Sequence, residues 1–144
     1  REYSMSLRVT IGGSLEVAKE CVQKVKFHVD IPLDSNARTK DVGATLEIKG
    51  KILTATDGDP FDTTRELALW SMVPAEEANA YREAVVEVIS AGIVERKYTY
   101  PRAFVVDYRE TYANVDGTGE FTLTIKQKKD KLAMLEVEGG YLGA

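Results

Sequence analysis

The side chains suited to chemistry are few and far apart in this sequence. There is one histidine, His28, and one cysteine, Cys21. Histidine titrates nearest neutrality, so a general base would have to be His28. It falls on the polar parity of an extended segment, where Lys26, His28 and Asp30 alternate with Val25, Phe27, Val29 and Ile31. That parity predicts a surface or interface histidine. A Ser-His-Asp set would need a serine distant in sequence, and no Gly-x-Ser-x-Gly, His-Glu-x-x-His or Cys-x-x-Cys pattern is present. Cys21 has no second histidine and no obvious electropositive helix start nearby in sequence, which predicts a buried or inert thiol rather than a nucleophile. Hydrolysis through His28 therefore has little to work with.

Oxygen ligands are clustered in Asp57-Gly58-Asp59-Pro60-Phe61-Asp62. Alternate aspartates supply part of a calcium loop, but the distal bidentate Glu is missing and Pro60 stiffens the backbone. An Asp-Gly turn running into a helix cap is the simpler reading. No Gly-rich loop followed by Lys-Ser or Lys-Thr offers a phosphate cradle. The aromatic set Tyr98, Tyr100, Phe104, Tyr108 and Tyr112 has strand spacing, which core or cross-strand packing explains; a carbohydrate platform is the sharper alternative. Lys126-Gln127-Lys128-Lys129-Asp130-Lys131 is a charge run, read as the solvated end of a strand or as a docking patch for an acidic neighbour.

The chain has 144 residues, 44% hydrophobic and 29% charged, with a net charge of −4. That fits a single domain over residues 1–144 with one core. Acidic and basic residues interleave, which argues against a sequence-specific nucleic-acid binder. No apolar run approaches the roughly 20 residues that span a bilayer, and no signal-peptide pattern opens the chain. A lone cysteine fits synthesis in a reducing cytoplasm. No cofactor is expected.

Period-two alternation dominates the elements that would position these groups. Leu7, Val9 and Ile11 form a strand ended by Gly12-Gly13, a hairpin signal into Leu15-Glu16-Val17. Val25 to Ile31 form another, and Leu46, Ile48 and Ile52 share one face of a third, with Gly50 at a bulge or close backbone approach. Phe121, Leu123 and Ile125 mark a later strand. Residues 63–72 form the best helix, with Asp62 as N-cap and Leu67, Leu69 and Trp70 as packing residues; Trp70 is the plug that seals the helix onto a sheet. Pro74 ends it, and residues 75–80 add a helical turn. Residues 83–90 suit a helix or a strand; β-branching favours a hairpin with residues 93–100 across Ala91-Gly92. Pro101 marks a corner or an edge position, followed by a strand over 103–112 with Phe104, Val106 and Tyr108 on one face. Asp116-Gly117-Thr118-Gly119 turns into the Phe121 strand, and a short segment at 134–137 precedes a flexible Gly139-Gly140 tail. Residues 34–41 make a long polar connection.

This order of elements resembles the tail-tube family: the haemolysin-coregulated protein (Hcp) of type VI secretion and the tube proteins of contractile phage tails and related injection systems. The resemblance rests on Leu67-Ala68-Leu69-Trp70, the hairpin over 85–100, Tyr100-Pro101-Arg102-Ala103-Phe104-Val105-Val106-Asp107-Tyr108, and Gly119-Glu120-Phe121-Thr122-Leu123-Thr124-Ile125. It implies a mainly β (α+β) fold, two packed antiparallel sheets forming a β-barrel-like domain with one flanking helix. It implies a non-enzymatic structural subunit of a homo-oligomeric ring, a hexamer, able to stack into a tube and to meet other tail, sheath or baseplate proteins. Assembly would be cytoplasmic, with incorporation into a phage-tail-like particle or secretion to follow. Val29-Asp30-Ile31-Pro32-Leu33-Asp34-Ser35-Asn36-Ala37-Arg38 looks like the family's extended loop to the adjacent ring, which makes Asp34, Ser35, Asn36, Arg38, Lys40 and Asp41 inter-ring or inter-subunit contacts. The alternative function is a β-sandwich binding module for a glycan or a protein partner.

Overall fold

Residues 5–30, 43–115, 117–128 and 134–143 are described by the computed structural model of the chain. The strands are β1 Met5–Ile11, β2 Leu15–Glu16, β3 Val22–Asp30, β4 Gly43–Ile52, β5 Arg82–Ser90, β6 Ile93–Tyr112, β7 Gly119–Gln127, β8 Glu136–Glu138 and β9 Tyr141–Leu142. One helix, α1 Thr63–Ser71, and a 3-10 turn, Ala78–Ala80, lie between β4 and β5. All nine strands belong to one antiparallel sheet of order β2-β1-β5-β6-β7-β4-β3, with β8 and β9 also paired to β6. The two packed layers expected from the sequence are thus two parts of one curled sheet. Phe27 of β3 stacks on Tyr98 of β6 with ring centroids 4.5 Å apart. The sheet is not closed: among the described residues no ladder joins β2 to β3.

Alternation builds the core. Val9 and Ile11 of β1, Leu46 and Ile48 of β4, Ala84 and Val86 of β5, and Phe121, Leu123 and Ile125 of β7 turn inward and are buried together. Gly50 continues the buried parity of β4. A Cβ there would overlap the Cys21 carbonyl oxygen and meet Phe121 Cε1 at 2.9 Å. The opposite strand is irregular at that point, between Val22 and Lys24. The close backbone approach expected at Gly50 is therefore present, and it brings Lys51 N–H to the Cys21 carbonyl at 2.8 Å.

β6 departs most from the sequence reading. Pro101 does not end it; the strand runs for 20 residues. Arg82 pairs with Ala103 and Ala84 with Tyr100, so β6 carries one extra residue at Pro101-Arg102. A bulge does not require the N–H that proline lacks. A second bulge, at Val106, flips the parity again. Phe104, Val106 and Tyr108 consequently do not share a face: Val105 and Tyr108 pack on the core, while Val106 is exposed. The chain beyond residue 134 is likewise paired rather than a loose tail, with β8 on Lys97 to Thr99 and β9 on Ile93 and Val94.

Candidate functional site

The helix is held by its entry loop. Asp62 stands at the N-cap with φ 51°, but its side chain makes no capping hydrogen bond. The capping carboxylate is Asp59, which is buried. It accepts the Thr63 N–H at 3.0 Å, the Thr63 hydroxyl at 2.8 Å and the Thr64 N–H at 3.3 Å. Thr63 Oγ1 in turn accepts the Ala18 N–H at 3.0 Å, tying the helix start to the segment before β3. Asp57 accepts the Thr54 hydroxyl at 2.8 Å. These acids serve a turn and a cap. Among the described residues no three His, Cys, Asp or Glu side chains converge as a metal-holding group.

Leu67 and Trp70, three residues apart and so on one side of the helix, are buried in the core. Trp70 Nε1 donates to the Ala80 carbonyl at 2.9 Å. Leu69, grouped with them by the sequence reading, lies two residues round the helix from Leu67, off that buried side, and is 40% exposed.

Cys21 is fully buried. Burial pushes its thiol up to about 11, the Asp59 carboxylate adds to this, and a backbone hydrogen bond at Leu53 opposes it. A thiol at neutral pH is a poor nucleophile. Native protein is expected to resist Ellman's reagent at pH 8 and to release one thiol when denatured; rapid reaction of the native state would contradict this burial. Linkage has a defined sign: between 9.0 and about 11 the unfolded chain loses this proton and the folded chain keeps it. Stability from this group is thus complete below that window and falls as pH rises through it.

His28 lies on the outer face of β3, its Nε2 3.0 Å from Asp30 Oδ1. Asp30 Oδ2 also receives the Thr45 hydroxyl at 3.2 Å and lies 3.3 Å from Lys126 Nζ. Burial opposes ionisation of Asp30, but the Lys126 ammonium, the Thr45 hydroxyl and His28 outweigh it and hold the carboxyl below its usual range. Asp30 pairs with Gly43, so the two ends of the connection over residues 31–42 leave β3 and β4 side by side. The cluster clasps the base of that connection. It is a joint, with His28 exposed and its carboxylate partner already occupied. Asp34, Ser35, Asn36, Arg38, Lys40 and Asp41 lie outside the described residues.

The aromatic residues do not form one platform. Tyr100 is fully buried and Tyr98 is stacked on Phe27. Tyr108 and Tyr112 both donate to the Glu110 carboxylate, at 2.7 and 2.8 Å. Burial, then the Glu110 hydrogen bond, raises the Tyr108 phenol well above its ordinary range. A grouping that the sequence reading missed surrounds Tyr81. Arg102 Cζ lies 5.7 Å and Lys128 Nζ 5.0 Å from its ring centroid, with the Phe104 ring 5.9 Å away. Its members come from three distant segments, and only the basic run at 126–131 signalled it.

No helix among the described residues is long and apolar enough to cross a membrane. No protein-family model matches the sequence, and no curated protein sequence does. Solved structures do match. Hcp1 from Flavobacterium johnsoniae is 18% identical, with a TM-score of 0.60 over 96% of this chain and 99% of that one. A chain of the anti-feeding prophage (AFP) baseplate, 6-fold symmetrised, is 10% identical, with a TM-score of 0.51 over 96% and 95%. A chain of the PVC sheath-tube complex, an extracellular contractile injection system in its extended state, is 7% identical, with a TM-score of 0.53 over 94% and 89%.

Proposed function

Taking the tail-tube, Hcp-like fold of this chain as premise, we propose that it is a structural subunit of a phage-tail-like contractile injection or secretion system, joining copies of itself into a six-membered ring that stacks as a tube. The observation that carries this reading is the open sheet. Among the described residues, the stretch of β6 over 104–112 pairs with β7 alone, and β3 pairs only with β4. Each leaves a row of backbone donors and acceptors that another copy can satisfy. A rotation that brings one such edge to another closes a ring with no edge left open. The six-fold number is supported by the 6-fold symmetrised AFP assembly, and sheath or baseplate partners by the two injection-system assemblies. Work by shape needs no reacting group.

We assign Asp34, Ser35, Asn36, Arg38, Lys40 and Asp41 to contacts between rings or subunits; the Asp30 clasp at the base of their segment sets where it starts. Negative-stain microscopy and light scattering at rising concentration test the whole reading. Rings with a central hole are the expected result, and a protein that stays monomeric at every concentration would end the proposal. Arg38→Glu with Lys40→Glu is expected to abolish stacking while single rings persist. Unchanged stacking would remove the loop from the interface.

A further inference from the structure

We infer that Arg102 and Lys128, gathered on the ring of Tyr81, form a receptor for the carboxylate of an acidic peptide segment whose neighbouring apolar side chain enters the cavity beside Trp70. The bulge in β6 creates the site. It frees the Arg102 N–H from the ladder to β5, and the side chain of buried Gln127 takes it at 3.0 Å. Lys128 N–H then donates to the Arg102 carbonyl at 3.0 Å. The two cationic residues are therefore locked together by their backbones, and both side chains reach the same ring.

Two like charges held at one ring repel, and an anion between them relieves the repulsion. The guanidinium is also incompletely satisfied: Arg102 Nε is buried and has no hydrogen-bond partner. None of the ion pairs among the described residues includes Arg102 or Lys128. An unpaired buried donor is costly, and a carboxylate oxygen is its strongest partner.

The second half of the site is apolar. A cavity of about 50 Å³ opens between the helix and β6, and Tyr81 and Phe104 line it together with Trp70, Val73 and Val105. Two of its polar wall groups are already engaged, Trp70 Nε1 with the Ala80 carbonyl and Ser71 Oγ with the Ala68 carbonyl. Tyr81 and Phe104 belong both to the cavity and to the cation cluster. A ligand that spans them carries one negative charge next to one small apolar group, as an Asp or Glu beside Leu or Val does. Nucleic acid fits less well, because its affinity grows with many phosphate contacts along a basic stripe, and this chain has a net charge of −4.

Trp70 is the only tryptophan, so its emission reports on the cavity directly. The test titrates the whole protein with acetyl-Leu-Glu-Leu-Glu-amide and with its Gln counterpart. The acidic peptide is expected to shift Trp70 emission saturably, less so at high ionic strength, while the Gln peptide is silent. Arg102→Gln is expected to weaken binding about tenfold or more. Lys128→Gln, at a partly exposed position that leaves the fold intact, is expected to weaken it about threefold. No saturable response, an equal response to the Gln peptide, or affinities unchanged in both variants would overturn the assignment. So would inorganic phosphate binding as tightly as the peptide, or an oligonucleotide binding more tightly with a steep salt dependence.

Discussion

Gly50→Ala is expected to leave little soluble, folded protein. The added methyl group overlaps the Cys21 carbonyl, whose carbon lies 2.8 Å from the Cβ position, and presses on Phe121 at 2.9 Å. Neither backbone can retreat. β4 is an interior strand paired with both β3 and β7, and the Cys21 carbonyl already holds Lys51 N–H at 2.8 Å. Overpacking a core costs about 1–3 kcal/mol when side chains can yield. Here a backbone hydrogen bond is lost as well, worth roughly 1 kcal/mol. The sum is a large share of the ~5–15 kcal/mol that holds a domain folded. Soluble yield and the urea midpoint measure it. A variant that unfolds at the wild-type midpoint would show that the approach of the two strands imposes no constraint.

Trp70→Ala is expected to cost about 3–5 kcal/mol, the range for emptying a large buried aromatic site. The indole fills the space between α1 and the sheet and is 2% exposed. Arg82 also stacks over it, with Cζ 5.6 Å from the ring centroid. Trp70→Phe keeps most of the packing but strands the Ala80 carbonyl that the indole N–H satisfied, so about 1–2 kcal/mol is expected. Denaturation followed by far-ultraviolet circular dichroism separates the two. A cost below about 1 kcal/mol for the alanine variant would mean that the helix is held by its Asp59 entry instead.

Much of the sheet is legible in the sequence because burial on one face writes itself as alternation. Leu46 and Ile48, and Phe121 through Ile125, are in the core as their parity predicts. The hairpin at Ala91-Gly92 is present too, with positive φ at both residues, as a tight turn between twisted strands demands. What alternation hides are its own interruptions. A bulge changes parity without changing composition, so the sequence does not show that β6 continues through Pro101 or that Val106 leaves the face of Tyr108. The choice of Asp59 over Asp62 as the capping carboxylate depended on a left-handed backbone at Asp62, which a list of carboxylates does not reveal. Leu69 is hydrophobic like Leu67 and Trp70, but its angular position on the helix puts it outside. The Tyr81 cluster was illegible for a different reason. It joins residues 81, 102 and 128, and only the sheet topology makes neighbours of them.

The length of β6 has a mechanical consequence. Its 20 residues, on the order of 60 Å of extended chain, are laddered to β5, β7, β8 and β9. Tension applied along this strand loads its ladders in shear, those to β5, β8 and β9 up to Ala103 and that to β7 from Ala103 onward, and many bonds must fail together. A strand held in this way resists extension along its own length by hydrogen bonding alone.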